Sequence, residues 1–142
     1  MYLDAIEYLK QIKNMDSIIQ SDIEELATLE ALATKTTAVM GDDRVQSSGS
    51  QQKMADCVVK IADMRKQISE EIDTLLKLKQ EARSLICSVR DADCITLLFK
   101  RYLMYKTWEQ IAVEMNFTYQ WVSDGLHKRA LGQVQKILDE KG

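Results

Sequence analysis

The stretch Thr107–Leu131, TWEQIAVEMNFTYQWVSDGLHKRAL, carries two helical patterns separated by a turn. Thr107 followed by Gln110 makes the T-x-x-Q of a capping box, which satisfies free N–H groups at a helix start. Ile111, Ala112 and Met115 then recur on one face, with small Ala112 allowing close approach. Asn116 suits a left-handed helix end, and Phe117 is expected to plug into the core. Thr118 caps a longer helix expected from Tyr119 to about Leu138. Val122 and Leu126 face inward, which leaves Tyr119, Gln120, Ser123 and Asp124 on the outer surface near the helix start. In a helix-turn-helix DNA reader, that is where the second helix meets base edges.

Working outward, Asp91 or Asp93 can cap a preceding helix through CITLLFKRYLM, with Ile95, Leu98, Phe99, Tyr102 and Leu103 apolar and a break at Lys106 and Thr107. From Tyr2 to about Thr34, apolar residues fall every three or four positions: Leu3, Ile6, Leu9, Ile12, Met15, Ile19, Ile23, Leu26, Leu29 and Leu32. A helix of that length spans about 45 Å and cannot bury its stripe alone. The β-branched TKTTAV, Thr34 to Val39, is expected to fray, and GDDRVQSSGSQQ, Gly41 to Gln52, reads as a flexible loop. A second long helix is expected from about Gln52 to Ser88. Its stripe runs through Met54, Val58, Ile61, Met64, Ile68, Ile72, Leu75, Leu76 or Leu78, Ala82 and Leu85 or Ile86. Two such helices joined by one loop predict an antiparallel hairpin. The fold class is therefore all-α: a long, coiled-coil-like hairpin over residues 1–90, with its loop at about 39–52, then a three-helix tail over 91–142. A hairpin core is thin, so further burial is expected, either against the C-terminal helices or in a homodimer.

Composition narrows the function classes. The chain of 142 residues has no Pro, 5 Gly, 46% hydrophobic and 29% charged residues, a globular mix. No run is apolar enough to span a membrane, and the N-terminus lacks the pattern of a signal peptide. The three Cys match no zinc spacing and are read as reduced cytosolic thiols; neither a metal nor a cofactor is expected. The adjacent acids Glu24–Glu25 and Glu70–Glu71 read as solvated charge. His127 lacks a surrounding catalytic constellation and reads as a surface or phosphate-facing side chain, so no enzymatic activity and no small-molecule substrate are expected. Net charge is −3, with 4 basic and 9 acidic residues in 1–50, 8 and 6 in 51–90, and 7 and 7 in 91–142. Any phosphate contact must therefore come from cations gathered on one face.

The tail FKRYLMYKTWEQIAVEMNFTYQWVSDGLHKRAL resembles region 4 of bacterial sigma factors: RYL at Arg101–Leu103, T-W-E-Q-I-A at Thr107–Ala112, and a recognition start at Thr118–Val122. With LEALATKTTAV, the Gly/Ser loop and the second long helix, the chain resembles small phage and prophage proteins of Gram-positive bacteria regarded as late-gene transcription regulators. The resemblance implies duplex DNA as partner, contact with RNA polymerase and a cytoplasmic location in the bacterial host. It places Tyr119, Gln120, Ser123 and Asp124 against bases. Lys100, Arg101, Lys106, Thr118, Lys128, Arg129 and Lys136 are the phosphate candidates. Gln120 can pair bidentately with adenine and Asp124 can accept from cytosine. Nothing resembles a promoter-melting segment, so an activator or accessory factor is expected rather than a complete sigma factor. Two rivals are a protein-binding module that does not touch DNA and a packaging component of the small-terminase kind. The acidic N-terminal half favours the former, and a ring of roughly eight or more subunits would mark the latter.

Overall fold

The computed structural model describes the backbone of residues 4–42 and 48–141 and the side chains of residues 4–35 and 51–141. Leu3 and the centre of the expected loop, 43–47, lie outside them. All regular structure among the described residues is helical. Helix α1, Ala5–Asp42, and helix α2, Ser48–Cys87, run 38 and 40 residues. They are followed by α3 (Ala92–Leu98), α4 (Trp108–Met115) and α5 (His127–Lys141). Two π-helical segments, with wider turns than an α-helix, are Phe99–Leu103 after α3 and Trp121–Leu126 before α5.

Helix α1 does not end near Thr34. It continues through TKTTAV to Asp42, and α2 starts at Ser48 rather than near Gln52. Each β-branched residue costs only about 0.7 kcal/mol or less relative to Ala, too little to stop a helix without Pro.

Two compact units divide the chain: Met1–Asp16 with Leu75–Gly142, and Ser17–Thr74. In the second unit, Ile19 and Ile68 are buried, Arg65 Nη2 donates to Glu30 Oε1 at 2.8 Å, and Asp22 meets Glu71. Residue numbers thus rise along α1 as they fall along α2. The stripe of α2 differs from the sequence expectation. Val58, Ile72 and Leu76 are exposed, whereas Cys57, Ile61, Met64, Ile68 and Glu71 are at least half-buried. The true seam repeats strictly every seven residues through 57, 64 and 71, and through 61 and 68. It accepts a carboxyl at Glu71 where the expected stripe has Ile72.

Glu71 is accordingly not solvated charge. Burial pushes its carboxyl above the usual range, and a hydrogen bond with Asp22 adds to the rise. A carboxyl raised in the folded state stabilises below its unfolded pKa, and that contribution is lost as pH rises through the folded value.

The first unit holds a contiguous core. Ala5 and Leu9 from α1, Leu85 and Ile86 from α2, Cys94, Leu97 and Leu98 from α3, Ile111 and Ala112 from α4, and Val122, Leu126, Ala130 and Val134 are buried together. The amide of Ala5 donates to Gln135 Oε1 at 2.8 Å, tying the start of α1 to the last helix.

The Asp22–Glu71 contact predicts that Glu71→Gln, which can still donate to Asp22, raises stability at neutral pH by roughly 0.5 kcal/mol after solvent screening. Urea melts of both proteins at acid and neutral pH check this: the advantage of the variant should shrink on acidification.

Candidate nucleic-acid interface

Helix α3 starts at Asp91, whose Oδ1 accepts from the amide of Asp93 at 2.9 Å. The chain leaves the Phe99–Leu103 segment through Tyr105 at φ 58°, a left-handed backbone. Tyr105 sits under the ammonium of Lys79. Its hydroxyl is pushed well above the usual range by burial first and then by Asp16. The break thus falls at Tyr105, just ahead of the expected Lys106 and Thr107. Thr107 then opens α4 with both capping-box bonds: the Gln110 amide donates to Thr107 Oγ1 at 3.2 Å, and the Thr107 amide donates to Gln110 Oε1 at 3.0 Å. Asn116 ends α4 at φ 60°, and Thr118 Oγ1 accepts from the amide of Trp121 at 3.1 Å. Phe117 does not plug into the core but is exposed; the inward positions are filled by Ile111, Ala112, Val122 and Leu126.

Of the residues assigned to bases, Tyr119, Gln120 and Asp124 are exposed and Ser123 is half-buried. Asp124 is not free: its Oδ1 receives Lys128 Nζ at 2.9 Å, one helical turn on. The phosphate candidates are also largely engaged. Glu114 Oε1 binds both Lys100 at 2.8 Å and Lys106 at 2.5 Å, which together hold its carboxyl below the usual range. Arg129 pairs with Asp91 at 2.9 Å. Arg101 stacks 4.4 Å over the Trp108 ring and donates to the Lys106 carbonyl. Thr118 spends its hydroxyl on the cap, and Lys136 lies far along α5.

Gly125 has a local cause. The Trp121 indole folds back across it, and a Cβ there would overlap the ring. The glycine therefore lets a large aromatic lie flat on the helix within the wide turn, with Trp121 still 40% exposed. Val113, Phe117 and Tyr119 are exposed nearby in sequence, Val113 at 82%.

His127 is neither surface nor phosphate-facing. Tyr102 Oη lies 2.6 Å from its Nε2, and Trp108 meets its ring edge-on at 4.7 Å. Burial, then the charges of Arg101 and Lys10, depress its pKa to about 4.

The chain belongs to the family described as "Protein of unknown function (DUF1492)", whose model matches residues 34–124. That span runs from the last turns of α1 into the Trp121–Leu126 segment that precedes α5. No curated protein and no solved structure matches the chain. Among the described residues, no helix is long and apolar enough to cross a membrane, and no group of three His, Cys, Asp or Glu could hold a metal. The three cysteines are unpaired.

Two measurements test the site. Gly125→Ala should lift the indole from the helix and red-shift Trp121 emission in a Trp108→Phe background, because the gain of about 1 kcal/mol in helix propensity cannot relieve the overlap. The ring protons of His127, the sole histidine, should titrate near pH 4 by NMR. A depressed histidine stabilises above its unfolded pKa, so that contribution should fade as pH drops from about 6.5 to 4.

Proposed function

We propose that residues 91–142 form a sigma-region-4-like helix-turn-helix that binds duplex DNA, and that residues 1–90 form a coiled-coil-like antiparallel hairpin serving a homodimer. The observation that carries this reading is the exposed Gln120 and Asp124 at the start of a helix capped by Thr118 and entered through left-handed Asn116. A helix start so presented can enter a major groove, where Gln120 reads adenine. Val122 and Leu126 lock it against Ile111 and Ala112 of α4, which gives the reading edge a rigid support.

The ion pairs set the energetics. The exposed pair Lys128–Asp124 and the partly exposed pair Arg129–Asp91 are worth about 0–1 kcal/mol each, so a phosphate can displace the carboxylate. Affinity is modest for one copy, and two half-sites in a dimer double the phosphate contacts. A phage-type activator or polymerase accessory factor in a bacterial host is the biological role that fits such a reader.

A second reading is favoured by the exposed apolar residues Val113, Phe117, Tyr119 and Trp121, together with cations held by carboxylates. Here the tail docks a protein and does not touch DNA.

Anisotropy titrations against duplex DNA from the genomic neighbourhood separate the two. Lys128→Ala with Arg129→Ala should weaken binding to all sequences and reduce the salt slope by about 2, while Gln120→Ala should lose discrimination at one base position. Asp91→Asn keeps the helix cap but frees Arg129, so it should tighten binding to every sequence. Absence of any duplex binding by the wild type at about 50 mM salt leaves the protein-docking reading in place.

A further inference from the structure

At the far end of α5 a groove of about 620 Å³ runs between residues 88–90, just beyond α2, and the last turns of the chain. All of it lies in the first unit. Arg90, Lys136 and Lys141 line it against a single carboxylate, Glu140. This excess of positive charge occurs in a chain of net charge −3. None of the three cations has an ion pair or hydrogen bond among the described residues, whereas Lys100, Lys106, Lys128 and Arg129 each hold a carboxylate. All three are exposed. Between them, buried Val89 and half-buried Ile137 supply an apolar strip.

Free cations beside apolar surface select a ligand that carries both negative charge and aliphatic side chains. Small-molecule sites enclose most of their ligand. This groove is half-open to solvent, which suits an extended or helical segment laid across it. It is also remote from the DNA-reading edge: at about 1.5 Å per residue, Lys136 stands more than about 20 Å along the helix from Gln120.

We propose that this groove is a docking site for an acidic polypeptide segment of a protein partner, with carboxylates on Arg90, Lys136 and Lys141 and an aliphatic side chain on Val89 and Ile137. The site acts independently of the proposed DNA contact and gives the protein a second ligand. Its rim charges set encounter rate and salt dependence, and its apolar strip sets residence time.

The test uses the full chain and a fluorescein-labelled peptide of Glu and Leu, titrated by anisotropy at low salt. Saturable binding is expected. It should weaken about tenfold in Arg90→Glu with Lys136→Glu, and also when Ser replaces Leu in the peptide. Lys66→Glu, an exposed charge in the second unit, should leave it unchanged, and circular dichroism should report the same helix content in every variant. Gln120→Ala should retain full peptide binding whatever becomes of the DNA reading, so failure of one proposal is distinguishable from failure of the other. The docking site is overturned by no peptide binding, by an unchanged double variant, or by equal weakening in Lys66→Glu. It is also overturned if duplex DNA, and not the peptide, is what the double variant ceases to bind.

Discussion

The architecture of the first unit depends on burying two helices too short to exist alone. Helices α3 and α4 have seven and eight residues, below the length at which a helix is even marginal in water. Both ends of α4 are fixed locally, by the Thr107–Gln110 box and by left-handed Asn116, but these caps contribute only about 1 kcal/mol each. Burial of Ile111 and Ala112 in the core shared with Val122, Leu126, Leu85, Ile86 and Leu9 stabilises the helix by more than its caps do. Parts of the chain more than a hundred residues apart therefore build one core, and the bond from the Ala5 amide to Gln135 closes it. Disturbing α1 near its start should loosen the tail, even though no tail residue changes.

Around that core, charge is arranged with economy. Glu114 draws two lysines together, Asp91 serves both as a helix cap and as the partner of Arg129, and Arg101 covers Trp108. The tail is neutral by count and has few unengaged cations near the exposed helix start. Any anionic ligand there must compete with carboxylates already in place. The contrast with Arg90, Lys136 and Lys141 is physical: among the described residues those three have no carboxylate to release.

Local signals in the sequence were highly legible. The capping box, the Asn116 turn and the Thr118 cap depend on contacts within a few residues, and each is present as read. The all-helical class followed from apolar spacing and the lack of Pro. Misreadings came from contacts between distant residues. Ile72 attracted the stripe because it is apolar, while the heptad geometry places Glu71 in the seam opposite Asp22. At Gly125, nothing in the one-dimensional pattern says that Trp121 bends back over the helix there. His127 looked external because Tyr102 and Trp108, its ring neighbours, are about twenty residues away. Among the assigned site residues, spacing gave Tyr119, Gln120 and Asp124 their exposure, but gave no hint of the carboxylates holding Lys100, Lys106, Lys128 and Arg129.

The Asp22–Glu71 contact also bears on how α1 and α2 find their alignment. Apolar seams with similar residues at each level tolerate sliding, because Leu against Ile is worth nearly the same as Leu against Met. Moving one helix of this seam by a heptad would set each carboxyl against hydrocarbon, which costs more than the repulsion the two carry side by side. The pair therefore works as a mispairing penalty: slightly destabilising where it stands at neutral pH, it makes the shifted states costlier still and favours one alignment.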